Sequence, residues 1–273
     1  MVDAEALALF ASVREQLRHW AAAEKVAAQG DYVAAVEYNL LQTMSPEAMA
    51  EYASGSGVEL DNKMRALHSS SALVCNVFDY WRTNDMQVLQ NALDLPSQCT
   101  LTFEKKLSTG VRGGKANLDI LIILADESVV GVECKFLEPY SPRKRQGAFS
   151  ESYFRGRRRW ADVDLPWSQA VAENIFAGAL TFRYLDAVQL LKHALALARA
   201  YRNRFSLWYF WYEVSSPLEM VHQEEIQRFM ELVGSEVRFR AVSYQELHAK
   251  LSSVAAADHS RYLAYIGNRY AMV

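Results

Sequence analysis

Glu133 and Lys135 stand two residues apart in the apolar run GVECKFLEP, residues 131–139. Burying a carboxylate and an ammonium costs several kcal/mol unless they are paired or bound to something. On a strand, residues i and i+2 share a face, so the two side chains project together and Cys134 points the other way. Asp119 lies in the preceding apolar segment, NLDILIIL. If residues 117–124 and 129–136 pair as a hairpin, Asp119 falls opposite a residue close to 134. All three groups then cluster at one end of a sheet. Two carboxylates a few ångströms apart repel unless a cation sits between them. Oxygen ligands of this kind suit Mg²⁺, with Mn²⁺ as a substitute, because Mg²⁺ takes one or two carboxylates and keeps waters and substrate phosphate. A lysine beside them can orient or activate a water and offset charge on phosphorus, which is the apparatus of metal-assisted phosphodiester hydrolysis. The competing reading is a Glu–Lys pair that only holds the sheet together. It leaves Asp119 unexplained.

The elements that must position these groups can be read from periodicity. Leu7, Phe10, Val13, Leu17 and Trp20 recur at steps of three and four, which predicts an amphipathic helix over 3–29. Helical character is expected to continue over 32–44. Ser45-Pro46-Glu47 starts another helix, SGSG at 54–57 breaks it, a further helix follows over 58–67, and one from Ser70 or Ser71 runs past Trp81. From about residue 100 the pattern changes to short β-branched segments: LTFEKKLS, NLDILIIL and VVGVECKF. These predict three successive strands in a meander. Helices over 167–179 and 184–201 lead to an apolar strand, FSLWYFWYEV, then to a helix near 220–232, a strand near 236–242 and a helical tail. The fold class is therefore α/β, a small mixed sheet flanked by helices.

Asp119, a 13-residue gap and then Glu133-Cys134-Lys135 on the next strand resemble the PD-(D/E)xK nuclease superfamily, the restriction-endonuclease-like fold. The stretch GVELDNKMRALHSSSALVCNVFDYW, followed by FEKK and the E-x-K-F-x-E-P-Y segment, is similar to a bacterial branch of that superfamily composed mostly of predicted nucleases. The resemblance covers about residues 55–215. It implies that Asp119 and Glu133 hold the metal, that the Cys134 carbonyl is a further ligand, and that Lys135 serves the attacking water. Glu59 would supply the acid that the family often carries on a preceding helix. Leu118 stands where the family pattern has a proline. The division expected is an N-terminal helical extension over 1–54 and a restriction-endonuclease-like nuclease domain over 55–273. A bare E-x-K is a weak signal, and the chain holds a second one, Glu104-Lys105-Lys106, with no strand-borne acid ahead of it. That one reads as a decoy for the metal site whose residues could still line the cleft.

Residues 141–160 carry Arg143, Lys144, Arg145, Arg155, Arg157, Arg158 and Arg159 against Glu151 alone, a net +6 in a chain whose total is -3. Such a run neutralises phosphates and releases counterions, and Tyr153, Phe154 and Trp160 could stack on bases. A solvated loop is the plain alternative. Gln189 and Lys192 share a helix face with His193. The resemblance carries the first two toward the site, whereas His193 reads as structural. Ser69 and Ser70 lie at a helix start, where hydroxyls and free N–H groups either cap the helix or meet phosphate. Gly110, Gly113 and Gly114 do not match a Walker motif and read as a turn.

With 51% apolar and 22% charged residues the composition is that of a globular protein. Three unpaired-looking cysteines argue against a disulfide framework or a zinc site. No basic leader precedes an apolar core, and no apolar run approaches the roughly 20 residues of a membrane span. A cytoplasmic location without a membrane partner is the expectation. The partner expected is nucleic acid, DNA first, and cutting two strands is compatible with a homodimer. The expected activity is a Mg²⁺-dependent deoxyribonuclease, a hydrolase. Its rivals are a catalytically inactive member of the same fold that binds nucleic acid or protein, and an enzyme on another α/β fold using Glu133 and Lys135 on a small molecule.

Overall fold

The computed structural model describes residues 4–55, 60, 62–96, 98–141 and 147–272. Helix α1 spans Ala4–Ala23 and buries Val13, Leu17 and Trp20 on one stripe. It ends six residues short of the expected limit, because Gly30 at positive φ turns a two-residue hairpin there, β1 Ala28–Gln29 and β2 Tyr32–Val33. The helix expected over 32–44 is absent. Only a 3₁₀ turn, Val36–Asn39, occurs, and the Asn39 amide is spent on the carbonyls of Met64 and Ala66 at 2.6 and 2.8 Å. Helix α2, Pro46–Ala53, starts where Ser45 caps the Ala48 N–H. In place of a helix over 58–67, the described residues form a 3₁₀ turn, Lys63–Arg65. Helices α3, Ser70–Thr83, and α4, Met86–Leu93, follow, capped by Ser69 and Asp85.

The sheet then forms from β3 Cys99–Ser108, β4 Lys115–Leu124, β5 Val129–Lys135, β6 Phe205–Trp211 and β7 Phe239–Ser243, in that spatial order. The first three strands are an antiparallel meander, and β5, β6 and β7 run parallel. Helices α5, Pro166–Phe176, and α6, Ala187–Tyr201, make the β5-to-β6 crossover, and α7, Pro217–Val233, makes the next. Helices α8, Tyr244–Val254, and α9, Ser260–Tyr270, close the fold. Two apolar layers cover the sheet. One holds α6 with Leu118, Leu121 and Leu207. The other joins α1, α3 and α9 to Ile120, Val132 and Phe136, so residues of 4–54 share a core with the sheet.

Two local features position the polar groups. Strand residues two apart rise about 6.6 Å, and helix residues four apart rise about 6 Å. Gly131, Glu133 and Lys135 on β5 therefore match Leu197, His193 and Gln189 on α6. Gly131 makes the close approach possible, since a Cβ there would lie 2.6 Å from Leu197 Cδ1. The second feature is a face reversal in the β3–β4 hairpin. Leu118 and Ile120 should share a face, yet they enter opposite layers, and so do Phe103 and Leu107. The reversal falls where Glu104, at φ 52°, stands opposite Asp119, the one position the ladder skips between Phe103–Ile120 and Lys105–Leu118. Behind the site, the wholly buried Arg269 donates to the carbonyls of Asn39, at 2.7 Å, and Leu67, at 3.4 Å.

Candidate active site

The β4–β5 ladder ends at the Ile120–Val132 pair. Beyond it the Asp119 side chain takes over, and its Oδ2 accepts the Cys134 N–H at 2.7 Å. The strands part there, and a cavity of about 630 Å³ opens. Its walls include Glu104, Asn117, Asp119, Glu133, Lys135 and Gln189. Glu133 is 2% exposed. Its Oε1 lies 2.5 Å from Lys135 Nζ and its Oε2 lies 2.7 Å from His193 Nε2. Lys135 Nζ also donates to Gln189 Oε1 at 3.0 Å. The three groups read from spacing, Asp119, Glu133 and Lys135, thus meet at one cavity.

The charges are unequal partners. Burial and then the Glu133 charge push the Asp119 carboxyl well above its ordinary range. Burial opposes ionisation of Glu133 too, but the Lys135 ammonium and His193 outweigh it and hold that carboxyl below its ordinary value. Burial alone would lower Lys135, yet the Glu133 and Asp119 charges overcome it, so the ammonium is held as a cation.

Ser69 and Ser70 line the same cavity, as do Lys63, His68 and Ser71. Ser69 is engaged as a cap, accepting the Ala72 N–H at 3.2 Å. Gln189 reaches the cavity, whereas Lys192 turns away to the Ala148 carbonyl at 3.1 Å, over the rings of Phe149 and Tyr153. Arg157 and Arg158 are exposed outside the cavity. Glu59, Arg143, Lys144 and Arg145 lie outside the described residues. The base-stacking expectation for Tyr153, Phe154 and Trp160 does not hold. Trp160 is fully buried, donates to the Leu191 carbonyl at 2.8 Å, and stacks with Tyr153 and Phe154 in an internal cluster.

Two groups here escaped the sequence reading, and a third was read only in part. Glu104, read as a decoy for the metal site whose residues could line the cleft, does line it beside Asp119 and accepts Asn117 Nδ2 at 2.5 Å. Asn117 is two residues before Asp119 on the same strand, a spacing that could have identified it. His193, read as structural, bonds Glu133 directly and lies one helical turn beyond Gln189.

Among the described residues no three His, Cys, Asp or Glu side chains are gathered into a metal cage. The oxygens lining the cavity, the carboxylates of Asp119 and Glu133 and Asn117 Oδ1, a buried oxygen without a hydrogen-bond partner among the described residues, are of the kind that a hard cation with few protein ligands takes. A cation between the first two would offset the burial and the repulsion by Glu133 that together raise Asp119.

A family model described as restriction endonuclease associating with ARP matches residues 9–271. The chain belongs to that family. The match extends past the 55–215 span of the motif resemblance and takes in most of α1 and all of α9. Membership in this restriction endonuclease family accords with the mixed α/β sheet and with the position of the Asp119–Glu133–Lys135 group. No curated protein and no solved structure matches the chain. Among the described residues no helix is long and apolar enough to cross a membrane.

Proposed function

We propose that the protein is a Mg²⁺-dependent deoxyribonuclease that hydrolyses phosphodiester bonds at the β4–β5 cavity. The observation that carries this reading is the convergence of Asp119, Glu133 and Lys135 on one cavity in a chain of a restriction endonuclease family. Asp119, Glu133 and the Cys134 carbonyl would hold the metal, with Glu104 next to them. A bound Mg²⁺, or Mn²⁺ in its place, supplies Lewis-acid polarisation of the phosphate and a more acidic water. Lys135, kept protonated, acts as a donor and a positive charge. It orients the attacking oxygen and offsets charge developing on phosphorus, and it does not serve as a proton acceptor. Gln189 fixes the ammonium from the helix side, and His193 fixes the Glu133 carboxylate. Ser70 and the α3 N-terminus offer N–H and hydroxyl donors to a neighbouring phosphate.

The test is cleavage of supercoiled plasmid, linear duplex and single-stranded DNA with Mg²⁺ or Mn²⁺, comparing wild type with Asp119→Ala and Lys135→Ala. Metal-dependent cutting lost in both variants is expected. Binding without cutting in every condition would replace this reading with that of an inactive, nucleic-acid-binding member of the fold.

A further inference from the structure

The β3–β4 hairpin continues past Glu104 and Asp119 and ends in the turn 109–114. From Lys105 to Lys115 it carries Lys105, Lys106, Arg112 and Lys115, and no acid. Lys106 is used internally, donating to the Ser54 carbonyl at 2.9 Å. Lys105, Arg112 and Lys115 are exposed, and none has an ion-pair partner among the described residues.

The second basic tract is fastened to this hairpin. Arg159 donates to the Gly110 carbonyl at 3.2 Å from one nitrogen and to the Ser152 carbonyl from two others. Tyr153 Oη reaches Thr109 Oγ1 at 3.5 Å. Arg155 is occupied by Glu151 at 2.5 Å. Arg157 and Arg158 stay exposed, without a carboxylate partner among the described residues. Two tracts far apart in sequence therefore make one basic surface in a chain whose net charge is -3.

The surface has a defined offset from the cavity. Lys115 is four strand residues from Asp119, about 13 Å at the rise of a strand, and the turn adds roughly two residues more, to about 20 Å. One strand of duplex DNA presents a phosphate every 3.4 Å along the axis. The offset corresponds to roughly four to six base-pair steps.

We propose that Arg112, Lys115, Arg157 and Arg158 form a backbone-binding arm that holds duplex DNA about four to six base pairs to one side of the phosphate in the cavity, with Lys105 on the strand between. This rests on the nuclease reading above and goes further, because it makes the substrate a duplex that extends past the cut and is gripped without base contacts. The arm reads charge and spacing, so it contributes affinity that is independent of sequence.

The experiment measures duplex binding by fluorescence anisotropy without divalent metal, over a series of lengths from 6 to 20 base pairs and a range of salt concentrations. Arg112→Ala/Lys115→Ala and Arg157→Ala/Arg158→Ala are compared with wild type and with Lys25→Ala, an exposed basic residue on another part of the surface. Circular dichroism melts confirm that each variant is folded. Each arm pair is expected to lower the salt slope by about two, at roughly 0.9 per phosphate contact. Each should also weaken the gain in affinity that wild type shows on lengthening the duplex, while Lys25→Ala leaves both unchanged. Wild-type slopes in the arm variants, or an equal drop in Lys25→Ala, overturns the arm. Plasmid cleavage on the same proteins separates the two claims: an arm that binds in a protein that never cuts removes the nuclease reading alone.

Discussion

Two buried clusters in this molecule each join a glutamate to a histidine, and they are built to opposite ends. Glu219 and His222 lie on α7. The Glu219 carboxylate accepts Tyr140 Oη at 2.6 Å, Trp211 Nε1 at 2.8 Å and the Val214 N–H at 3.2 Å. His222 sits between Tyr140 Oη at 2.9 Å and Tyr209 Oη at 3.0 Å. Every acceptor faces a donor, and the cluster is closed. Glu133 and His193 have the same residue types and are likewise buried, but a second carboxylate stands beside them and a cavity opens at Glu133. Asp119 is pushed up, and Asn117 Oδ1 and His193 Nδ1 have no partner among the described residues. A closed network stabilises a fold; an open one at a cavity keeps capacity for a ligand.

Substitutions can break that comparison. The largest effect is expected at Asp119. Asp119→Asn keeps an acceptor for the Cys134 N–H and removes the disfavoured charge. DNA cutting should fall about a hundred- to a thousandfold, on the scale of a lost electrostatic contact in a transition state, while urea unfolding shows stability unchanged or higher. A variant that is both inactive and clearly destabilised would make Asp119 a structural residue.

Next in size is Glu219→Ala, which removes the acceptor of Trp211 Nε1 and of the Val214 N–H in the core and one of the two partners of Tyr140 Oη. At about 1–3 kcal/mol for each stranded group, a loss of roughly 3 kcal/mol or more is expected in urea unfolding. A loss below 1 kcal/mol would mean that the closed network is not a stabilising device.

His193→Gln tests whether the second histidine serves its glutamate. The Mg²⁺ concentration that gives half-maximal cutting should rise about tenfold, as is usual when a group orienting a metal-binding carboxylate is changed. An unaltered Mg²⁺ dependence with lower stability would reduce His193 to packing.

The smallest effect concerns His68 on the cavity wall, where burial, and then Arg14, lower the ring pKa to about 4. A histidine held neutral in the folded state contributes its full stability above about pH 6.5 and loses it as pH falls from there toward 4. His68→Phe keeps a ring against Phe10 and Tyr32 and should flatten that acid limb of the stability curve. A limb of unchanged slope would assign the acid loss to other groups.

The site was legible where side-chain parity and strand order decide geometry. Glu133 and Lys135 had to project together, and Asp119 had to come close to residue 134. Glu104 was placed no nearer than the cleft, because its approach to Asp119 depends on a left-handed backbone at a non-glycine residue, which no local sequence signal announces. Lys192 was carried to the cavity on face-sharing alone, but one residue of helical rotation away from Gln189's row sends it to Ala148. The stacking role given to Tyr153 and Trp160 failed because aromatic residues among arginines look alike whether the rings face solvent or core. The 32–44 segment reads as helical, yet Asn39 and the chain around residue 66 hold it in turns, a tertiary choice that propensity does not contain.

The buried Arg269 also has a consequence in time. Its guanidinium grips the Leu67 carbonyl, one residue before the His68–Ser71 wall of the cavity. During synthesis the carboxylates of β3, β4 and β5 are made long before residue 269, so this clamp on the wall facing them is added after them, on a turn that Asn39 already holds at Met64 and Ala66. A nascent chain is therefore expected to hold the acidic groups before the cleft is fully clamped. Protease protection of residues 60–71 in ribosome-stalled chains of increasing length should therefore appear only after residue 269 has emerged. Earlier protection would show that the wall forms without its clamp.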